Sequence, residues 1–373
     1  MKLMNTQMTP KLKKFKISFF IVMIITSGSL KAQDFGTIIA AGQEDANTYL
    51  ENYIRPGINS LGNGLANGWY NTAKAHKTLG FDLTATVSIA KIPVSERTFE
   101  FLLNDYQNIT LTGDSDGFLP TLVGGKAEED SKFVVDADQD IYYNGQPIEL
   151  QDDVEFPVPG GIDIKDIPVV TGVPTPTFTL GIGIYKNTDL RIRYLPEIQV
   201  DDFKMKMFGI GVMHDIKQWI PGVKNLPFDL SGFFGTTKVT TTINLEVDNT
   251  QSGDLSTTTF SGTGKGEFIS SATTIQALIS KKLTVFTPYA GIGVNIVGSS
   301  LKVLGDYTYE VDPTVGSTQT YDIKDPIDLS FQNAGGPRFT IGGRLKLAIF
   351  TFHFDYTLQK YSTVSGGFGI AIR

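Results

Sequence analysis

The C-terminal stretch 338–373 alternates almost strictly between apolar and polar side chains, and its middle part, residues 350–358, reads FTFHFDYTL. A period of two is that of a β-strand, in which successive side chains point to opposite faces. The parity changes near Ala348 and again near 360–362. The stretch therefore predicts three consecutive strands joined by tight turns, in a sheet with one apolar and one polar face.

Seven earlier segments alternate in the same way, so that ten strands are predicted. They begin at or near Lys77, Pro176, Asp189, Phe203, Phe228, Phe268, Leu283, Arg338, Phe350 and Thr363. The connections after Tyr185, Ser280 and Leu347 are short, whereas long loops are predicted near 91–175, 248–267 and 298–337. Short turns at one edge and long loops at the other are typical of a transmembrane β-barrel, which in bacterial single-chain examples has an even number of strands.

A soluble β-sandwich is the main alternative, because its strands also carry one apolar face. Three features favour the membrane: strands near the roughly 9–11 residues needed to cross it, the unequal loops, and a last strand that runs to the final residue. The predicted fold class is all-β, an antiparallel transmembrane β-barrel of 10–14 strands over residues 77–373. A short N-terminal helical plug or lid precedes it.

Residues 1–32 have the layout of a secretory signal peptide. A lysine-rich start is followed by a mostly apolar run at 17–25 and by small residues before Gln33, which predicts cleavage after Ala32. The apolar run is too short to span the roughly 30 Å hydrocarbon core as a helix. The chain is therefore expected to be exported to the cell outer membrane, with barrel-assembly machinery and outer-membrane lipid as partners.

Charge and cysteine content exclude several function classes. Cleavage would remove six lysines and no acidic residue, which lowers the formal charge from −7 to −13. An acidic protein is not expected to bind nucleic acid. Because the chain has no cysteine, disulfides, thiol catalysis and thiolate metal sites are excluded.

The N-terminal segment 33–76 begins with helical spacing and then becomes rich in glycine. Asp45 is the predicted N-cap, apolar residues follow at intervals of three and four, and the helix is predicted to end at Arg55-Pro56-Gly57. Two placements remain open. The segment is either a periplasmic lid or frayed terminus, or a plug inside the barrel lumen.

The runs TPTFTLGIG at 175–183 and GGFGIAIR at 366–373, with the leader and the glycine-rich segment, resemble uncharacterised outer-membrane barrels related to the long-chain fatty-acid transporter (FadL-like) family. In that family an Asn-Pro-Ala triplet closes the plug, and Asn71-Thr72-Ala73 stands in its place here. The resemblance implies about fourteen strands and a channel or transporter for a small molecule, with hydrophobic ligands among the candidates. A structural or surface-binding barrel without transport is the alternative.

Eight polar residues are predicted to face the lumen, because their parity is opposite to that of the apolar side chains. They are Asp82, Arg191, Arg193, Arg338, Arg344, Lys346, His353 and Asp355. Unpartnered charges in a dry core are very costly, so these groups must face water, each other or a polar plug. Glu51 and Arg55 of the N-terminal helix are the predicted partners.

No enzyme chemistry is predicted, and no catalytic, cofactor-binding or metal-binding residue is assigned. The three histidines, His76, His214 and His353, do not have the spacing of metal ligands. His353 and Asp355 share a strand face, but lumen lining explains this pair better than a hydrolase does.

A calcium loop is also rejected. Asp136, Asp138 and Asp140 match the start of an EF-hand loop, but its sixth position is Ile141 and its twelfth is Pro147. Loose binding of a calcium ion at the surface remains an alternative.

Overall fold

The computed structural model describes residues 42–372, except 114–115, 138–140, 144, 164–170, 201, 253–254 and 333. The predicted signal peptide and residues 33–41 lie outside the described residues. The elements are helix α1 (Gln43–Leu65) and strands β1 Phe81–Ala90, β2 Thr98–Glu100, β3 Ile109–Thr112, β4 Phe118–Pro120, β5 Lys132–Val135, β6 Ile141–Tyr143, β7 Gln146–Ile148, β8 Val154–Pro157, β9 Pro174–Gly183, β10 Thr188–Val200, β11 Phe203–Asp215, β12 Asp229–Ser252, β13 Ser256–Ser280, β14 Phe286–Pro313, β15 Gln319–Lys324, β16 Ile327–Phe331, β17 Gly336–Leu347, β18 Phe350–Leu358 and β19 Thr363–Ile372.

Ten of the described strands form a closed antiparallel ring. Its order is β1, β9, β10, β11, β12, β13, β14, β17, β18 and β19, and β19 pairs with β1 to close it. The predicted all-β class and antiparallel arrangement are confirmed. The described ring does not reach the fourteen strands that the resemblance implies.

Burial in the ring is the reverse of that in a soluble protein. In β18, Phe350, Phe352 and Phe354 are 50–61% exposed, whereas His353 and Asp355 between them are only 6% and 3% exposed. A soluble sandwich would bury the phenylalanines and expose the charges. The sandwich alternative is therefore excluded for this sheet, because its apolar face points outward.

The two rims of the ring differ, as the connection lengths predict. The short-turn rim carries the connections 184–187, 216–228, 281–285 and 348–349. The opposite edge, the long-loop rim, carries residues 91–173 between β1 and β9 and residues 314–335 after β14. The first residue of β1, Phe81, pairs with Ile372 at the end of β19 and with Ile182, next to the connection 184–187. The start of β1 and the end of β19 therefore both lie at the short-turn rim.

Two predicted long loops are largely strand. Residues 248–252 belong to β12 and residues 256–267 to β13, and the two strands pair without interruption from Asp229↔Ser280 to Ser252↔Thr257. Much of 298–337 is likewise strand, in the outer half of β14 and in β15 and β16. The sequence-based prediction was wrong here, since beyond the ring these strands lose the strict apolar alternation. Their β-branched threonines and valines still favour extended backbone.

The described residues between 91 and 163 fold over the long-loop rim, and we call them the cap. The sheet β3-β5-β8 and the hairpin β6-β7 lie in it. Its hydrophobic core is shared with α1 and with the outer halves of β12–β14, and it contains Tyr49, Phe133, Phe260, Val303 and Tyr307. The predicted loop at 91–175 is therefore a packed structure wherever it is described.

Helix α1 is longer than the sequence predicts. It begins at Gln43 and continues through Pro56 to Leu65. Asp45 is not its N-cap: its carboxylate accepts hydrogen bonds from the backbone N–H groups of Gln107, Asn108 and Ile109 in the cap, at 2.7–3.0 Å. Within the described residues, no helix is both long and apolar enough to cross a membrane.

The first strand also begins later than predicted, at Phe81 rather than Lys77. A turn precedes it, because Gly80 donates a backbone hydrogen bond to Lys77 and Leu79 has a φ of 68°.

Candidate functional site

The candidate site is the lumen of the ring, which is occupied by residues 59–76, called the plug segment below. At one end, the Ser60 hydroxyl donates to the carbonyl oxygen of Ala90, at the long-loop end of β1 (2.6 Å). At the other, His76 Nδ1 lies 2.8 Å from the carboxylate of Asp189, at the short-turn end of β10. The chain therefore passes through the ring from one rim to the other before it enters β1.

The plug segment contacts the wall on nearly all sides. Its contacts in the described residues reach nine of the ten strands, through Ala90 (β1), Thr175 (β9), Arg191 (β10), Met213 (β11), Ser231 (β12), Thr274 (β13), Asn295 (β14), Arg338 (β17) and Thr357 (β18). Two small gaps remain beside it, both lined by Gly68, Trp69 and Tyr70. The sequence left open whether this segment is a lid or a plug. Residues 59–76 lie inside the ring, in the position of a plug.

Glycines allow the helix to fit in so narrow a ring. A Cβ atom on Gly62 would lie 2.3 Å from Cγ1 of Val297, and one on Gly64 would lie 2.3 Å from Oγ1 of Thr175. The interior of a small barrel has room for little more than side chains. The glycine content that lowers helix propensity is therefore what lets α1 approach the wall.

Two wall arginines bind the C-terminal end of α1. Arg193 donates to the carbonyl oxygen of Leu65 at 2.7 Å and also to that of Asn67, while Arg338 donates to the carbonyl oxygen of Ala66 at 3.0 Å. The last carbonyl groups of a helix lack partners within it and carry partial negative charge. The last turn of α1 has no basic residue of its own, so the wall supplies the cations.

A second group of charges holds the plug segment near the short-turn rim. Arg191 donates to the carbonyl oxygen of Trp69 at 2.7 Å and to the Asp189 carboxylate at 3.2 Å. Asp189 also accepts from the backbone N–H of His76 at 2.7 Å. Asp82 completes the cluster, 3.5 Å from His76 Nε2 and 3.8 Å from Arg191. All four side chains are buried, so each charge depends on the others for compensation.

The remaining candidate residues lie around the same ring. Asp355 accepts a hydrogen bond from the Tyr289 hydroxyl at 2.8 Å, and His353 Nε2 lies 3.3 Å from the Thr86 hydroxyl. Arg344 is buried opposite His353 on the neighbouring strand. Lys346 is only half-buried and donates to the carbonyl oxygen of Ala371, near the short-turn rim.

The predicted partners of the wall charges were wrong. Glu51 and Arg55 pair with each other at 2.8 Å on the exposed face of α1, above the ring. The wall arginines bind main-chain carbonyl groups of the plug segment instead. Residue spacing alone does not show this arrangement, because carbonyl groups carry no sequence signal.

Sequence reasoning also missed Asp189 and the role of His76. Asp189 has the same parity as Arg191 and Arg193, so the alternation could have placed it in the lumen. The strand was predicted to begin at Asp189, but this residue was not included among the lumen-facing candidates. Among the described residues, no group of three or more His, Cys, Asp or Glu could hold a metal ion. The calcium-loop pattern includes Asp138 and Asp140, which lie outside the described residues.

A model for a family of unknown function (DUF6588) matches residues 12–372. The chain belongs to this family. No curated protein matches this member of DUF6588. The relation to the long-chain fatty-acid transporter family stays a prediction.

Solved structures similar to this DUF6588 member have low identity to it. The translocator domain of the autotransporter NalP from Neisseria meningitidis is 11% identical, with 90% of this chain and 99% of that one covered and a TM-score of 0.24. The Ail protein of Yersinia pestis is 12% identical (50% and 92% covered, TM-score 0.21), and the CymD monoaromatic hydrocarbon channel is 8% identical (86% and 99% covered, TM-score 0.22). At these scores the likeness carries no argument about function.

Proposed function

We propose that this protein is an outer-membrane β-barrel that is closed at rest by its own N-terminal segment and passes a small molecule when that segment moves. The observation that carries the proposal is the reversed burial of the ring. Its apolar face points outward, and its polar face encloses a polar stretch of the same chain.

The outward face supports a membrane location. A ring that exposes Leu83, Phe352, Phe354 and Phe368 side by side would aggregate in water, but it matches the hydrocarbon of a bilayer. The short turns of such barrels face the periplasm and the long loops face outward. The cap is then on the cell surface, and the protein reaches the membrane through export and barrel-assembly machinery.

The chemistry of the plug–wall interface supports a movable plug. Hydrogen bonds from Arg191, Arg193 and Arg338 hold this interface beside two small apolar clusters, whereas the largest apolar core lies in the cap. Interfaces between parts that separate are more polar than permanent ones. Exchanging a protein partner for water has a net cost of about 0.5–1.5 kcal/mol for a neutral hydrogen bond and about 1.5–3 kcal/mol for one made by a charged group such as arginine, compared with about 4–6 kcal/mol when no water replaces the partner. Water entering the lumen would therefore offset much of the free energy lost when the plug moves.

A disulfide between plug and wall tests the proposal. A Cβ atom at Gly62 would lie 3.7 Å from Cβ of Val297 on β14, close to the roughly 3.8 Å of natural disulfides. Because the chain has no cysteine, Gly62→Cys with Val297→Cys would introduce the only two thiols. The replacement of Val297 also removes the Cγ1 atom that would clash with the new side chain.

The readout is single-channel current across planar bilayers under applied voltage. We expect the reduced variant to open and the oxidised variant to stay closed, with reduction restoring the openings. The matched control is Ser88→Cys with Ser365→Cys, which joins two wall strands whose hydroxyl groups are 3.1 Å apart. Its current should not depend on oxidation. Openings that persist in the oxidised plug–wall variant would contradict a gate at this position.

A structural or surface-binding barrel is the second candidate, and one observation favours it. The first half of α1 is part of the cap core, where Tyr49 and Tyr53 are 0% and 1% exposed and Tyr49 packs against Phe133. The whole segment cannot leave without disrupting the cap. If a protein lacking residues 33–76 keeps the heat-modifiable gel mobility of a folded barrel yet conducts no better than the full chain, this second function is the correct one.

A further inference from the structure

The short-turn rim has an unusual concentration of exposed lysines. Those exposed in the structure are Lys74, Lys77, Lys186, Lys224, Lys281 and Lys282. None of the acidic side chains described in the connections and strand ends there is exposed: Asp215 and Asp229 are partly buried, and Asp82 and Asp189 are buried. The described residues of the cap at the other end include thirteen acidic and four basic residues. The molecule is therefore electrically polarised along the axis of the ring.

Aromatic and apolar side chains lie among these lysines. Tyr185 and Trp219 are 68% and 60% exposed, and Leu226, Leu283 and Val285 are 45–48% exposed. The Lys186 ammonium lies 5.2 Å from the centre of the Tyr185 ring and 5.9 Å from that of Trp219. Tyrosine and tryptophan favour the headgroup level of a bilayer, and lysines beside them extend their ammonium groups toward the aqueous phase.

We propose that the short-turn rim binds anionic phospholipid headgroups of the membrane leaflet that surrounds it. This inference rests on the proposed membrane location but not on transport. A lysine near an anionic membrane surface gains attraction that a zwitterionic surface does not provide, and the attraction decays within a Debye length. A soluble acidic partner would also match the charge, but it would leave the ring of apolar and aromatic side chains without a role.

The test compares spin-labelled phosphatidylglycerol with spin-labelled phosphatidylcholine, of equal chain length, bound to the full-length protein in bilayers of phosphatidylcholine. Electron spin resonance gives the association constant of each lipid relative to the bulk. We expect phosphatidylglycerol to associate roughly threefold more strongly or better, and the ratio to approach one at high salt.

Two variants locate the effect. Changing Lys186, Lys224, Lys281 and Lys282 to Gln should abolish most of the preference. The matched control changes Lys91, Lys126, Lys265 and Lys360, which are exposed toward the long-loop end, and it should retain the preference. Equal loss in both variants would overturn the proposed location of the site.

Failure of this inference can be separated from failure of the proposed function. If the native protein inserts into the bilayer and binds both lipids equally, the lipid site is refuted and the barrel stands. That outcome would indicate a soluble periplasmic partner for the lysines. A protein that folds but does not enter the bilayer would refute the membrane location and this inference with it.

Discussion

The guanidinium carbon of Arg193 lies 3.7 Å from the centre of the Trp69 ring, and the two side chains are 0% and 1% exposed. Trp69 belongs to the plug segment and Arg193 to the wall. Desolvated cation–π contacts contribute about 2 kcal/mol. The pair therefore joins plug and wall at the centre of the lumen, beside the hydrogen bonds from Arg193 to the end of α1.

Replacing Arg193 should loosen the plug segment more than any exposed substitution does. Arg193→Gln removes the cation from Trp69 and breaks charged hydrogen bonds, each of which contributes about 1.5–3 kcal/mol. We expect faster proteolysis within residues 59–76 and a loss of at least about 3 kcal/mol from the free energy that holds the plug. Arg55→Gln is the control, because Arg55 is 45% exposed in its side chain and forms an exposed ion pair with Glu51. Equal protease sensitivity of the two variants would show that Arg193 does not anchor the plug.

The outward face of β18 should not tolerate charge. Phe354→Arg places a cation against lipid at a cost of about 2–4 kcal/mol near the bilayer centre, and insertion into vesicles should fall accordingly. Leu79→Arg is the control, because Leu79 is 83% exposed at the short-turn rim, where water is available. Heat-modifiable gel mobility measures folding of both variants. Normal insertion of Phe354→Arg would contradict the assignment of the faces.

An inward substitution is not as mild as the sequence alone suggests. Thr84 faces the lumen, and in an open channel Thr84→Arg would be tolerated better than Leu83→Arg. In the structure Thr84 is 5% exposed and lies next to Trp69 and Tyr70. We expect Thr84→Arg to displace the plug segment while leaving the wall folded. Increased conductance with normal gel mobility would show this, and unchanged conductance would contradict it.

The glycines of α1 should be replaceable only together with the wall residues they face. Gly64→Ala places a methyl group 2.3 Å from Oγ1 and 2.8 Å from Cβ of Thr175, and such overpacking costs about 1–3 kcal/mol. Thr175→Gly removes those atoms, so the double variant should regain much of the lost stability. A double-mutant cycle on denaturant unfolding measures this coupling. Gly366→Ala is the control, because no atom lies within 3.8 Å of its added Cβ. Additive losses would contradict close packing at this position.

Attachment of α1 to the cap should depend on pH through Asp45. Burial raises the pKa of the Asp45 carboxyl above its usual 3.8, although three backbone N–H groups oppose the shift. The protonated form is thus favoured in the folded state. The stability that this preference adds to the folded state is fully present below pH 3.8 and is lost as the pH rises through the raised pKa of Asp45. Hydrogen exchange at Gln107, Asn108 and Ile109, corrected for intrinsic rates, should show stronger protection at low pH. Asp45→Asn should remove this dependence, and an unchanged pH profile in that variant would assign it to another group.

The sequence by itself determined the class of fold and which side chains share a face. Alternation with a period of two follows from backbone geometry within a few residues, so ten strands and the common face of Arg191, Arg193 and Asp355 could be read without the structure. The sequence did not predict that the outer halves of β12–β14 are strands. There the strands leave the ring, and one apolar side per strand is no longer required.

Only the tertiary structure decided which face is outside and what the polar face encloses. Arg193 donates to the carbonyl oxygen of Leu65, 128 positions away in the chain, and this contact exists only because β19 closes the ring on β1 around α1. Main-chain carbonyl groups are identical at every position, so no residue pattern marks them as partners of an arginine. The position of the plug segment therefore depends on ring closure and on the close approach to the wall that Gly62 and Gly64 allow.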